Sequence, residues 1–151
     1  MDNFDQGSKY LTIFNIDTIR PNFRFPLDHG KYGWVEVFEA QGDGWSFVLP
    51  QEPGSRWVKQ CAEKKRISNY CSTGLYSFVD INQFYRGYQR ELNHPSSFEL
   101  FIAPIYNFLI ADNEKIFFYK IDSDKVLLSG IPSEYEALSS TGVNHFFDSK
   151  E

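Results

Sequence analysis

Cysteine is nearly absent. Cys61 and Cys71 are the only two in 151 residues, and no secretory pattern accompanies them, so they read as two reduced, partly buried thiols rather than a disulfide framework. Histidine is as sparse: His29, His94 and His145 lie too far apart for the ligand spacing of a zinc site. Long hydrophobic runs are missing too. No stretch approaches the roughly 18 apolar residues of a membrane span, and the polar opening MDNFDQGSKY has no apolar signal-peptide region, which predicts a soluble, cytoplasmic protein with no membrane partner. Positive charge is neither abundant nor clustered: 15 Lys and Arg stand against 20 Asp and Glu, a net charge of -5. The longest basic run, Lys64-Lys65-Arg66, could meet one phosphate but not a duplex, so a nucleic-acid partner is not expected. A phosphate-cradling glycine loop, a nucleophile elbow and a zinc-protease helix are all absent.

Aromatic residues are what the chain has in quantity, with 15 Phe, 9 Tyr and 3 Trp. With 42% hydrophobic residues overall, they supply one folded domain with a real core and no need of a structural metal. The run Tyr10 to Ile16 (YLTIFNI) is continuously apolar, which predicts a strand covered on both faces in a mostly parallel α/β sheet, with Asp17 at its carboxyl end. Residues 33–39 (GWVEVFE) alternate as a strand. The turn Gln41-Gly42-Asp43-Gly44 and the β pattern of residues 45–49 predict a hairpin with it. Two further strands are expected over 56–62 and 72–78.

Helical spacing of Ile81, Phe84, Tyr85, Tyr88 and Leu92, behind the capping pair Asp80 and Gln83, predicts an amphipathic helix. The stretch 99–110 has helical length, and Pro104 starts the helix rather than lying inside it. A turn at Asp112-Asn113-Glu114, a strand over 116–121, a short helix over 133–138 and a polar tail over 138–151 with the pair Phe146-Phe147 complete the chain.

Chemistry is then sought at strand ends, where open α/β sheets bind ligands. The candidates are Asp17, the acid-base pair Glu63-Lys64, and Gly74, a glycine inside a strand. Each has a plainer reading: a turn-capping Asp, an exposed ion pair and a simple bulge. Trp45, Trp57, Tyr76 and Tyr106 read as core or sheet-cover aromatics.

The segments FNIDTIR (14–20), AEKKRISNYCSTGLYSF (62–78), FELFIAPIYNFLI (98–110) and SGIPSEYEAL (129–138) come in an order that resembles the sugar-phosphate nucleotidyltransferases. That resemblance implies a Rossmann-like α/β fold with a mixed, mostly parallel sheet and flanking helices. It also implies an activity, the joining of a sugar 1-phosphate to a nucleoside triphosphate with release of pyrophosphate, in nucleotide-sugar or polysaccharide biosynthesis. By the resemblance Asp17 is the Mg2+-binding and catalytic aspartate. Glu63 accepts sugar hydroxyls, Lys64 binds the sugar phosphate and serves catalysis, and Thr73 and Gly74 form the strand under the sugar. Gly33 corresponds to a substrate-contacting glycine, although a plain turn explains it as well.

The family's Gly-x-Gly-x-Arg loop, which grips the triphosphate, has no counterpart in the sequence. The chain therefore reads as a single partial domain over 1–151, incomplete at its N-terminal side and inactive or nearly so alone. Lys65 stands where the family has proline, and Leu128 where many members place a second metal-binding aspartate. A strand left without its neighbour has a bare edge, so a homo-oligomer or a partner chain completing the sheet is expected. A non-catalytic docking module and a truncated remnant are the alternatives.

Overall fold

A computed structural model of the chain describes residues 10–142. Eight strands and three helices follow in the order β1 (Leu11–Phe14), β2 (Thr18–Ile19), β3 (Gly33–Glu39), β4 (Ser46–Pro50), β5 (Val58–Glu63), β6 (Tyr70–Phe78), α1 (Ile81–Asn93), α2 (Ile105–Ala111), β7 (Ile116–Lys120), β8 (Leu127–Leu128) and α3 (Pro132–Thr141). The main sheet runs β5-β4-β6-β3-β7, with β1 also on β6, while β2 and β8 form a separate two-stranded ribbon.

The α/β class is as expected, but the parallel character is narrower than the resemblance implied. Among the described strands only β3 and β7 pair in parallel; β1, β4, β5 and β6 all pair antiparallel. The hairpin expected between residues 33–39 and 45–49 does not form either. β6 inserts between β3 and β4, and the hairpin is instead β4–β5, closed by the loop that follows Pro50. A glycine-rich turn fixes a chain reversal locally; it does not reveal that a strand from later in the sequence will take the space between its two arms.

β6, nine residues long, organises everything near the site. β3 lies along one edge of it. β4 and β1 take the other edge in succession, β4 at Cys71 and β1 from Leu75 to Phe78. The register between β3 and β6 jumps between Val35 and Val37, leaving Thr73, Gly74 and Leu75 opposite the single residue Glu36. This is a β-bulge, and the extra residues bend the strand away from the regular ladder. Gly74 absorbs the bend with φ +89°, a conformation in which a side chain is strained. In consequence the end of β1 and the start of β4 are held apart over Ser72–Gly74, and an opening is left between them.

The largest core cluster lies between the sheet and the helices α1 and α2, with Val35, Val37, Tyr76, Phe78, Ile105, Tyr106 and Leu109 at its centre. Phe78 and Tyr106 stack with ring centroids 4.7 Å apart. The Tyr106 hydroxyl donates to the carbonyls of Trp34 (3.0 Å) and Ser77 (2.9 Å), tying α2 to two strands. Helix α1 starts as the sequence indicates: the Asp80 carboxylate accepts from the Gln83 N–H, and the Gln83 side chain accepts from the Val79 N–H. Pro104 precedes α2, whose helical turns occupy only the end of the stretch 99–110. Helix α3 runs on to Thr141, into what reads as the polar tail; Phe146, Phe147 and His145 fall outside the described residues. Both cysteines are free and buried. No helix among the described residues is long and apolar enough to cross a membrane.

The first strand is shorter and more exposed than its apolar run suggests. β1 stops at Phe14, Phe14 is 40% exposed and Ile16 fully so, and among the described residues β1 pairs with β6 alone. Its apolar side chains are therefore not covered on both faces. Continuous hydrophobicity here marks a strand that, among the described residues, is paired along one edge.

Candidate functional site

The gap between β1 and β4 opens into a cavity of about 170 Å³ with a floor made by Ser72, Thr73 and Gly74 of the bulge. One wall comes from the end of β1 and the segment after it (Asn15, Asp17 and Thr18), backed by Leu128, Gly130 and Glu134. The facing wall is Trp45, Ser46 and Glu63. A second cavity of about 300 Å³ adjoins the first through the shared residues Asn15, Ser46, Glu63 and Tyr76, and is closed by Leu100, Phe101 and Ile102.

Two carboxylates that the sequence singles out thus face one space. Asp17 is exposed, and its backbone carbonyl accepts from both the N–H and the hydroxyl of Ser129, each at 2.9 Å, which fixes the segment. No hydrogen bond engages the Asp17 carboxylate among the described residues. Glu63 ends β5, and its carboxylate accepts from the Ser46 hydroxyl. The Tyr76 hydroxyl in turn donates to Ser46 at 3.2 Å, completing a chain from the core to the cavity. Burial pushes the Tyr76 phenol up to about 12, with the Ser46 and Ser72 hydroxyls opposing the rise, so it stays a neutral donor.

Thr73 and Gly74 lie at the cavity floor, but in unequal ways. The Thr73 hydroxyl is buried and donates to Glu36 at 2.9 Å, so only its backbone and methyl remain for a ligand. Gly74 accepts at its carbonyl from the Asn15 N–H (3.0 Å). A Cβ on Gly74 would meet Asn15 Nδ2 at 2.6 Å and its Cβ at 2.8 Å. The glycine therefore serves both the bulge and the close approach of Asn15, whose amide lines both cavities.

Lys64 is not in the lining of either cavity. Its φ of +51° and its N–H bond to the Trp45 carbonyl (2.9 Å) turn it outward, and its ammonium rests 4.9 Å from the ring of Phe101, which lines the second cavity. Gly33 lies at the far end of β3, opposite Ile116, where an added Cβ would meet Ile116 Cδ1 at 2.8 Å; tight packing, not the cavity, surrounds it. Arg66, last of the basic run, spends its guanidinium on Asp43 and on the carbonyls of Ala40, Gly42 and Ser68, and so braces the turn before β4. Sequence reasoning did not single out Asn15, Ser46 or Glu134, and it set Trp45 and Tyr76 aside as core aromatics. Asn15 is the one with a discernible signal, two residues before Asp17 at the end of the same strand.

Mg2+ takes hard oxygen ligands and keeps several for water and phosphate, so one or two carboxylates suffice. Asp17, with its carboxylate unengaged, fits such a role. Glu134 is nearby, but one of its oxygens accepts from the N–H groups of Gly130 (2.9 Å) and Ile131 (3.3 Å) at the start of α3. Among the described residues no group of three or more His, Cys, Asp or Glu is placed to hold a metal by itself.

Comparison with known proteins gives the same direction. No family model and no curated protein matches the sequence. A nucleoside-diphosphate-sugar pyrophosphorylase from Vibrio cholerae RC9 matches as a solved structure, with 40% identity and a TM-score of 0.78 over 91% of this chain and 55% of that one. Over the part of that structure that it spans, the chain has the nucleotidyltransferase fold. A UDP-glucose pyrophosphorylase solved with UDP-glucose (14% identity, TM-score 0.69, 90% and 56% covered) has the same fold. So does an inositol-1-phosphate CTP transferase from T. maritima (14%, 0.57, 87% and 56%). The chain spans a little over half the length of these solved nucleotidyltransferases.

Proposed function

We propose that this chain provides the sugar-phosphate side of a nucleotidyltransferase that joins a sugar 1-phosphate to a nucleoside triphosphate in nucleotide-sugar or polysaccharide biosynthesis. One observation carries the reading: Asp17, Glu63 and the Gly74 bulge, separated in sequence, face a single cavity on this fold. In the reaction a phosphate oxygen of the sugar 1-phosphate attacks the α-phosphorus, and the bond to pyrophosphate breaks. Little covalent chemistry is asked of the protein; alignment of two polyanions and charge compensation supply the rate.

Glu63, held by Ser46 and Tyr76, accepts hydroxyls of the sugar, and the Asn15 amide offers both a donor and an acceptor beside it. Lys64 reaches the phosphate as a point charge after leaving the Phe101 ring, a movement its flexible stem allows. Asp17 holds Mg2+, which when bound neutralises charge around the reacting phosphates. Thr73 and Gly74 contribute backbone to the floor, and Gly33 acts at a distance by packing β3 against β7. The sequence carries no Gly-x-Gly-x-Arg loop to grip a triphosphate, so pyrophosphate release by the 151-residue chain itself is expected to be near zero. The setting proposed is the cytoplasm.

Titration of the full chain with glucose 1-phosphate and separately with nucleoside triphosphates, followed by Trp fluorescence, tests the reading. Saturable binding of the sugar phosphate that Glu63→Ala abolishes, with weak triphosphate binding, is the expected result. Binding of neither, or tight binding of triphosphate alone, overturns it.

A second reading has its own observation. β1 pairs on one side only among the described residues, and Phe14 and Ile16 are exposed beside it. A free strand edge of this kind is a template for another strand, so a second copy or a partner chain completing the sheet is proposed with the catalytic reading. A docking module would be the whole function if charged substitutions at Thr12 and Phe14 abolished partner binding while Asp17→Ala and Lys64→Ala left partner-bound activity unchanged.

A further inference from the structure

Glu36 stands in the middle of β3 with no solvent exposure, opposite the bulge in β6. Arg20 grips it as a fork, with Nε 2.5 Å from Oε1 and one terminal nitrogen 2.9 Å from Oε2. The hydroxyls of Thr73 (2.9 Å) and Tyr119 (2.6 Å) donate to the same carboxylate. The other terminal nitrogen of Arg20 donates to the Lys125 carbonyl at 2.5 Å. Such a buried ion pair is a weak source of stability, because desolvating two charges offsets most of their attraction.

Its geometric effect is larger. Arg20 directly follows β2, behind the wall that carries Asn15, Asp17 and Thr18. Thr73 is in the cavity floor. The Lys125 carbonyl leads into β8, which bears Leu128 and precedes Gly130. The β2–β8 ribbon pairs with no strand of the main sheet among the described residues. Among the described residues the ribbon is tied to that sheet by Val126 and Leu128 packed with Phe38, Phe47 and Cys71, by the flanking bonds of Asn15 to Gly74 and of Ser123 to Glu39, and by the Arg20–Glu36 fork, which alone reaches the centre of β3 opposite the bulge.

We infer that the Arg20–Glu36 pair is a positioning device for the ligand cavity, setting the Asp17 wall at its distance from the β6 floor. The inference depends on the sugar-phosphate reading only for the identity of the ligand. Two variants of the full chain test it. Arg20→Lys keeps the charge but loses the fork and the bond to Lys125. The triple variant Arg20→Met, Glu36→Met, Tyr119→Phe removes both charges and the Tyr119 hydroxyl that would be left without its acceptor.

Thermal melting, amide hydrogen exchange and titration with glucose 1-phosphate are measured on each. The triple variant should melt only a few degrees below wild type, because the buried Thr73 hydroxyl is left without its acceptor. It should exchange the amides of the β2–β8 ribbon about tenfold faster while those of β3 and β6 keep their protection, and it should bind the sugar phosphate about tenfold more weakly. If the triple variant does not fold, Arg20→Lys carries the same expectation for exchange and binding. Unchanged ribbon protection and unchanged affinity in a folded variant overturn the inference. Failure of the wild type to bind glucose 1-phosphate would remove the functional reading instead, and the exchange data would still decide the positioning claim.

Discussion

Replacing Gly74 by alanine tests the geometry of the site in one residue. Two costs arise, and the structure separates them. At φ +89° any side chain is strained, by about 1–2 kcal/mol. The new Cβ also lies 2.8 Å from Asn15 Cβ, too close for the amide alone to swing aside, so the end of β1 must shift; overpacking of this kind costs about 1–3 kcal/mol. Because Asn15 is exposed and can yield outward, the sum should be about 2–3 kcal/mol, a drop in melting temperature of about 4–12 °C for a domain of this size. Gly42 is the control. Its φ is +86° and nothing lies within 4 Å of the added Cβ, so Gly42→Ala should show the backbone cost alone, about 1 kcal/mol. Asn15→Gly combined with Gly74→Ala should recover the steric part. Denaturant unfolding of the four proteins measures all of this. Equal losses for Gly74→Ala and Gly42→Ala, or no recovery in the double variant, would refute the argument that Gly74 exists to admit Asn15.

Tyr106→Phe should destabilise the fold by about 1–3 kcal/mol, since the carbonyls of Trp34 and Ser77 lose their shared donor in the core; urea unfolding reads the change. Alkaline pH should destabilise the protein as well. The folded state holds the Cys61 thiol and the Tyr76 phenol up to about 12, from ordinary values of 9 and 10, because burial disfavours their charged forms. The unfolded chain then releases protons first, so the stability these groups confer is complete below pH 9 and declines from there to pH 12, by on the order of 2 kcal/mol for the phenol. Thermal melts at pH 7 and 9 should lie close together and the melt at pH 11 well below both, and Tyr76→Phe should fall less steeply. Leu109→Ala, at a fully buried contact of α2, should cost about 2–5 kcal/mol by leaving a void between helix and sheet.

Local signals in the sequence translated well where the physics is local. The strand expected over 33–39 matches the span of β3 in full, although its residues are buried on both faces rather than alternately, and the Asp80 cap starts α1. Pairing partners were not legible in the same way. The turn at Gln41–Gly44 marks a reversal, yet β3 and β4 end up on opposite sides of β6, because which strand fills a gap is decided by packing over the whole sheet. The continuous run 10–16 reads as doubly covered, whereas coverage depends on neighbours a run does not encode. At the site, Asp17 and Glu63 stood out as carboxylates at strand ends, and Gly74 as a glycine inside a strand. Glu36 did not, since an acidic residue within an alternating strand reads as one facing water. Only its meeting with Arg20, Thr73 and Tyr119 shows it to be buried. Lys64 was legible as a cation beside the site, but its left-handed backbone and its seat on Phe101 were not.

The central claim is that the space between Asp17, Glu63 and Gly74 receives a sugar 1-phosphate. Backbone amide shifts of the labelled chain, followed during titration with glucose 1-phosphate, test it most directly. Concerted, saturable changes are expected at Asn15–Thr18, Ser46, Glu63–Lys64 and Ser72–Gly74, with Gly33 and α1 unmoved. Shifts confined to the outer edge of β1 or to the helices, with the residues around Gly74 silent at saturation, would contradict it.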